Sequence, residues 1–100
     1  ISWQLCCQLA TLCGVDTIHS GMWGGYLSDP EEELRTTLKI LVDGNVVPAL
    51  SCGMTAELVQ PIYDKFGSDW MANVGGAIHS DPNGSAAGAL KIRKAIDAIK

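Results

Sequence analysis

One hundred residues with 47% apolar side chains supply core for one small domain and are far too apolar for a disordered chain. A formal net charge of -4 excludes the basic face that nucleic acid calls for, so any phosphate must be held locally, against the overall charge. No apolar run approaches the ~20 residues that cross a bilayer, so no membrane partner is expected.

Ile1-Ser2-Trp3-Gln4 carries neither an initiator methionine nor a basic leader, and reads as cut from a longer chain rather than begun. Residues 3–13 place Leu5, Leu9 and Leu12 at helical spacing, with Cys6 and Cys13 alongside, and Gly14 stops the helix. Cys6, Cys7, Cys13 and Cys52 contain no Cys-x-x-Cys pair. They are expected to be buried small hydrophobes in a reducing cytoplasm, not a zinc site. Val15–Ile18 is a short buried strand that delivers His19-Ser20-Gly21 to its end. In the loop that follows, Trp23, Gly24, Gly25 and Tyr26 combine glycine hinges with large aromatics. That composition suits a mobile loop closing over a ligand, and equally a packed surface loop.

Ser28-Asp29-Pro30-Glu31-Glu32-Glu33 is the clearest helix start: Asp29 as cap, Pro30 at the first helical position and Glu32 completing a capping box. The three glutamates are a solvated first turn at the positive end of the helix dipole. Leu34, Leu38 and Leu41 form the buried stripe, and Asp43-Gly44-Asn45 ends it. Val46–Ser51 is a second apolar strand, although Pro48 fits a central strand poorly. Thr55 is a plausible cap for a helix carrying Leu58, Val59, Ile62, Tyr63 and Phe66, which Gly67 ends. Trp70–Val74 is a third strand, and the final helix is expected to bury Leu90, Ile92, Ala95, Ile96 and Ile99.

Between that strand and that helix lies Gly75-Gly76, followed by a polar loop through Gly84. Glycine lets backbone N–H groups approach a ligand, and a helix start adds unpaired donors, which together make an anion cradle of backbone. An ordinary strand-to-helix turn has the same glycines. With no Lys or Arg in these turns, affinity is expected to come from backbone geometry, and replacing Lys91 or Lys94 is expected to matter little. His79 is a loop histidine.

Apolar strands alternating with amphipathic helices mean an α/β fold of parallel βα units, with His19, Ser51, Gly53, Gly75 and Gly76 all at strand C-terminal ends. In α/β barrels the active site occupies that face.

Ile18-His19-Ser20-Gly21, Ser51-Cys52-Gly53-Met54 and the Gly75–Gly88 stretch carry a more specific signal. In order and at compatible spacing, they resemble the His-Ser-Gly, Ser-Gly-Gly-Ile and Gly-Gly-Gly…His-Pro-x-Gly…Gly-Ala signatures of the RuBisCO large-subunit family. The resemblance implies that residues 1–100 are one C-terminal part of a TIM (β/α)8 barrel, about strands six to eight with helices five to eight. Three departures stand out: Tyr26 where the mobile loop of carboxylases has lysine, Cys52 for a glycine, and Asp81 for a histidine before Pro82. A neutral phenol cannot stabilise a developing carboxylate, so the chain is most similar to the RuBisCO-like (form IV) proteins.

That likeness implies enolisation, isomerisation or decarboxylation of a phosphorylated keto-sugar or sugar acid, in a cytoplasmic homo-oligomer. Gly53, Gly75 and Gly76 would give backbone N–H bonds to a substrate phosphate, with His19 and Ser51 at the substrate's other end. Mg2+ is expected for the whole enzyme, with its lysine and carboxylate ligands on earlier strands. This chain is expected to hold no metal and no catalytic residue, and to be inactive alone. The alternative is a non-catalytic, truncated α/β fragment that at most binds anions.

Overall fold

Three parallel strands lie side by side in chain order, each leading into a helix, in the computed structural model, which describes residues 3–100. Helix α1 (Trp3–Leu12) precedes β1 (Thr17–Gly21), α2 (Glu31–Asp43), β2 (Val47–Leu50) and α3 (Ala56–Phe66). The two-residue β3 (Met71–Ala72) then leads through a short α4 (Gly76–His79) to α5 (Ser85–Asp97). The expected order is therefore found, with one addition: α4 occupies the first half of what reads in sequence as a polar loop.

Strand β2 is central, with Thr17 opposite Val47 on one side and Ala49 opposite Met71 on the other. Pro48 is buried within it and costs the sheet no ladder bond. Val47 N–H donates to Asp16 on the β1 side, so the missing Pro48 donor points towards β3. There the pairing starts only at Ala49, one residue later. Strand β1 lies further along the chain than the apolar run predicts, starting at Thr17 and including His19 and Ser20. A register irregularity between His19 and Gly21 accommodates Ser20, whose buried hydroxyl donates to the Ala49 carbonyl. Strand β3 is shorter than expected because its ladder runs only opposite Ala49 and Leu50.

The main core lies between the sheet and helices α2 and α3, where Leu34, Leu38, Leu50, Met54 and Ile62 pack with Met22. The Leu34, Leu38 and Leu41 stripe of α2 is buried as its period requires. Glu31 pairs with Arg35 within this helix and joins it to α3 through Lys65, each at 2.9 Å.

Several local expectations are corrected. Asp29 does not cap α2; Pro30 is the capping residue, without a side-chain bond. The Asp29 carboxylate instead accepts the Met22 N–H at 2.9 Å, while Asp29 N–H donates to the Met22 carbonyl at 2.7 Å. Those two bonds close the base of the loop that begins at Met22. Thr55 does occupy the cap position of α3, but also without a side-chain bond. In α1 the buried face carries Cys7, against Leu41 and Val46, while Leu5, Leu9 and Leu12 are exposed. Of the cysteines only Cys7 is buried; Cys13 is exposed, and all four are free thiols. Burial, and secondarily the neighbouring Cys6, pushes the Cys7 thiol above its usual range. On α5, Leu90 is exposed, Gly88 is buried against α4, and Ile92, Ala95 and Ile96 are half-buried, as is Ile99 just beyond it.

Candidate functional site

The C-terminal ends of β2 and β3 open into a cleft of about 930 Å³, walled by the turn after each strand and by α5. Ser51, Gly53, Gly75 and Gly76 all line it, and Tyr26 reaches it from the loop after β1. These five sequence-derived residues are thus brought together. His19 is outside the cleft wall, but its Nδ1 lies 3.1 Å from Ser51 Oγ, which ties it to the same strand end. His79 ends α4, with its ring 3.3 Å from the Ser85 hydroxyl.

The glycines differ in what the chain requires of them. Gly53 has φ +106, and an added Cβ would lie 2.6 Å from the Tyr26 backbone nitrogen, so both conformation and packing demand glycine. This close contact seats the loop on the turn after β2, where Gly25 also packs against the Cys52 carbonyl and Gly53. Cys52, in the place of a family glycine, adopts φ +70. Gly75 has φ -129 and Gly76 begins α4, so neither needs the left-handed region, and a Cβ on either would meet nothing within 4 Å. Conformation and internal packing therefore explain Gly53, whereas the space beside Gly75 and Gly76 belongs to the cleft.

The loop after β1 is anchored rather than merely tethered. Met22 is buried in the core, Gly24 N–H donates to Ser28 Oγ at 3.0 Å, and the Trp23 ring carries the Lys65 ammonium at 4.9 Å from its centroid. Tyr26 projects from it, 79% exposed. A side-chain hydrogen bond with Cys52 is the first cause holding the Tyr26 phenol above its ordinary value, so the side chain is neutral at physiological pH.

Sequence reasoning missed the charged part of the site. Lys91 and Glu57 line the cleft together with Asp81. Lys91 Nζ is 2.8 Å from Asp81 Oδ2, and Asp81 Oδ1 accepts the Asn83 N–H at 2.8 Å. Lys91, and then the Asn83 N–H, hold the Asp81 carboxyl below its usual range, and Asp81 in turn raises Lys91. Lys91 thus lines the cleft itself, closer to the strand ends than its place on the final helix suggests. The available signal was Gly88: Lys91 follows it by three residues on one helical face, and Gly88 marks where α5 meets α4. Among the described residues no three His, Cys, Asp or Glu side chains converge as a metal site.

The family model described as the ribulose bisphosphate carboxylase large chain, catalytic domain, matches residues 39–100. The chain belongs to this RuBisCO large-chain family. The ribulose bisphosphate carboxylase of Pyrococcus furiosus is 33% identical over 96 residues, covering 91% of this chain and 23% of that protein. The 2,3-diketo-5-methylthiopentyl-1-phosphate enolase of Exiguobacterium sibiricum is 42% identical over 53 residues, 53% of this chain and 13% of that enzyme. Among solved structures, the octameric Rubisco of Pyrococcus horikoshii OT3, in complex with sulfate ion, superposes with a TM-score of 0.90 at 31% identity. That superposition covers 98% of this chain and 24% of the Rubisco chain. A rubisco-like protein from Burkholderia fungorum gives 0.76 at 32% identity, over 87% and 24% of the two chains. The three βα units are thus part of a RuBisCO-type (β/α)8 barrel, and the chain spans about a quarter of the length of these solved relatives.

Proposed function

We propose that these residues form the phosphate-binding part of a RuBisCO-like enzyme that enolises, isomerises or decarboxylates a phosphorylated keto-sugar or sugar acid. The observation that carries this reading is the cleft in which Gly53, Gly75 and Gly76 meet at the ends of two parallel strands. The first N–H groups of α4 have no intrahelical partner, and no Cβ stands between Gly75 or Gly76 and the open space. A phosphate seated there accepts backbone hydrogen bonds, and the substrate's other end extends towards Ser51 and its partner His19.

In this proposal the chain contributes binding and orientation. The proton abstraction and the Mg2+ that stabilises an enolate belong to residues outside residues 1–100, in the rest of the barrel, and the working protein is a cytoplasmic homo-oligomer. Relatives named as carboxylases match more of the chain than the enolase does. What turns the reading away from CO2 fixation is Tyr26, in the place where the resemblance requires lysine. Its neutral phenol offers hydrogen bonding but no positive charge to a developing carboxylate.

The test is made on the whole protein that carries this segment. With ribulose bisphosphate and labelled CO2, no labelled phosphoglycerate is expected. In deuterated solvent, a phosphorylated keto-sugar should exchange the proton beside its carbonyl, followed by NMR. Labelled phosphoglycerate contradicts the proposal, and so does the absence of exchange on every such substrate.

A further inference from the structure

Among the described residues that line the cleft, Lys91 alone carries a positive charge, and it shares the walls with Asp81 and Glu57. The two members of the Asp81–Lys91 pair are unequally placed. The Asp81 side chain is 3% exposed and fixed on both oxygens, one by Lys91 and one by the Asn83 N–H, whereas the Lys91 side chain is 57% exposed. The carboxylate is therefore an internal strut of the loop, and the ammonium is the member of the pair that meets solvent. An ammonium has three donors, and one is committed to Asp81.

Without Lys91, a phosphate entering beside Gly75 and Gly76 would face two carboxylates and no cation, a repulsive arrangement. We propose that Lys91 is the cationic contact of the phosphate bound in this cleft, set in place by Asp81. The inference rests on the phosphate-binding reading above and adds to it a side chain that the backbone cradle alone does not supply. Asp81 also gives a reason for its own presence: in a loop of family type it replaces histidine, and here its charge holds the lysine of the next helix at the cleft wall. The raised proton affinity of Lys91, caused first by Asp81, keeps the ammonium charged throughout the neutral range.

The experiment is a titration of the 15N-labelled chain with inorganic phosphate at low and high NaCl, read from the Gly75 and Gly76 amides. Wild type, Lys91→Gln and Lys91→Arg are compared. Lys91→Gln is expected to weaken phosphate binding about fivefold or more, the effect of one unit charge at ~4 Å in a water-like medium, and to flatten its salt dependence. Lys91→Arg should restore both. Wild-type affinity and salt dependence in Lys91→Gln overturns the inference and leaves the glycine cradle standing. No phosphate-dependent shift at Gly75 or Gly76 in wild type removes the cradle, and Lys91 with it. If Lys91→Gln loses its native amide spectrum, wild type decides: affinity that does not change with salt overturns the role given to Lys91.

Discussion

At Gly88 one hydrogen atom decides whether α4 and α5 can touch. An added Cβ would stand 2.5 Å from the Ile78 carbonyl oxygen and 2.7 Å from its Cα, both backbone atoms that cannot rotate away. Gly88→Ala should therefore destabilise the chain by about 1–3 kcal/mol, the cost of overpacking a close contact. The sign is informative, because alanine is the better helix former and on an open helix face it would stabilise by roughly 1 kcal/mol. Urea unfolding followed by circular dichroism measures the difference, and a raised midpoint would show that α4 does not bear on Gly88. Asp29 and Asp81 show the same specificity of place. Both carboxylates accept backbone N–H groups, of Met22 and Asn83 respectively, and hold loops rather than cap helices.

Among the elements, the helices were legible wherever their apolar face meets this chain's own core. The Leu34, Leu38 and Leu41 stripe reads directly as a buried face, and Val59 with Ile62 does so for α3. Legibility fails in α1. Leu5, Leu9 and Leu12 have the same spacing in α1, yet Leu12 is 84% exposed and the inward side is Cys7. Periodicity reports that a helix has an apolar face, but not which neighbour takes it. Strand limits were hidden for another reason. Parallel pairing sets them, so β1 extends through the polar His19 and Ser20 while β3 shrinks to two residues of an apolar run. In the site, glycines at strand ends pointed to the cleft, as did Ser51. The Asp81–Lys91 pair was not legible, because its members lie ten residues apart on either side of a turn whose path only the fold defines.

At the scale of the whole molecule, three strands of a barrel leave both outer strands with an edge unpaired among the described residues. Exposed apolar side chains lie along α1 and at Val47 and Met71 of the sheet. Such edges template further pairing. The chain alone is expected to self-associate, with another copy covering the edges, and a stable monomer in sedimentation at high micromolar concentration would contradict this. The central claim concerns the cleft, and the most direct test is Gly76→Val. Gly76 lies at the start of α4 with open space beside it, and valine is a better helix former than glycine, so the substitution should leave the helical circular dichroism unchanged. Its side chain would nevertheless occupy the room in which phosphate oxygens reach the backbone N–H groups. The account predicts that an NMR titration with inorganic phosphate shows binding in wild type and none in Gly76→Val. Equal binding by the two would mean that the glycines only make a turn.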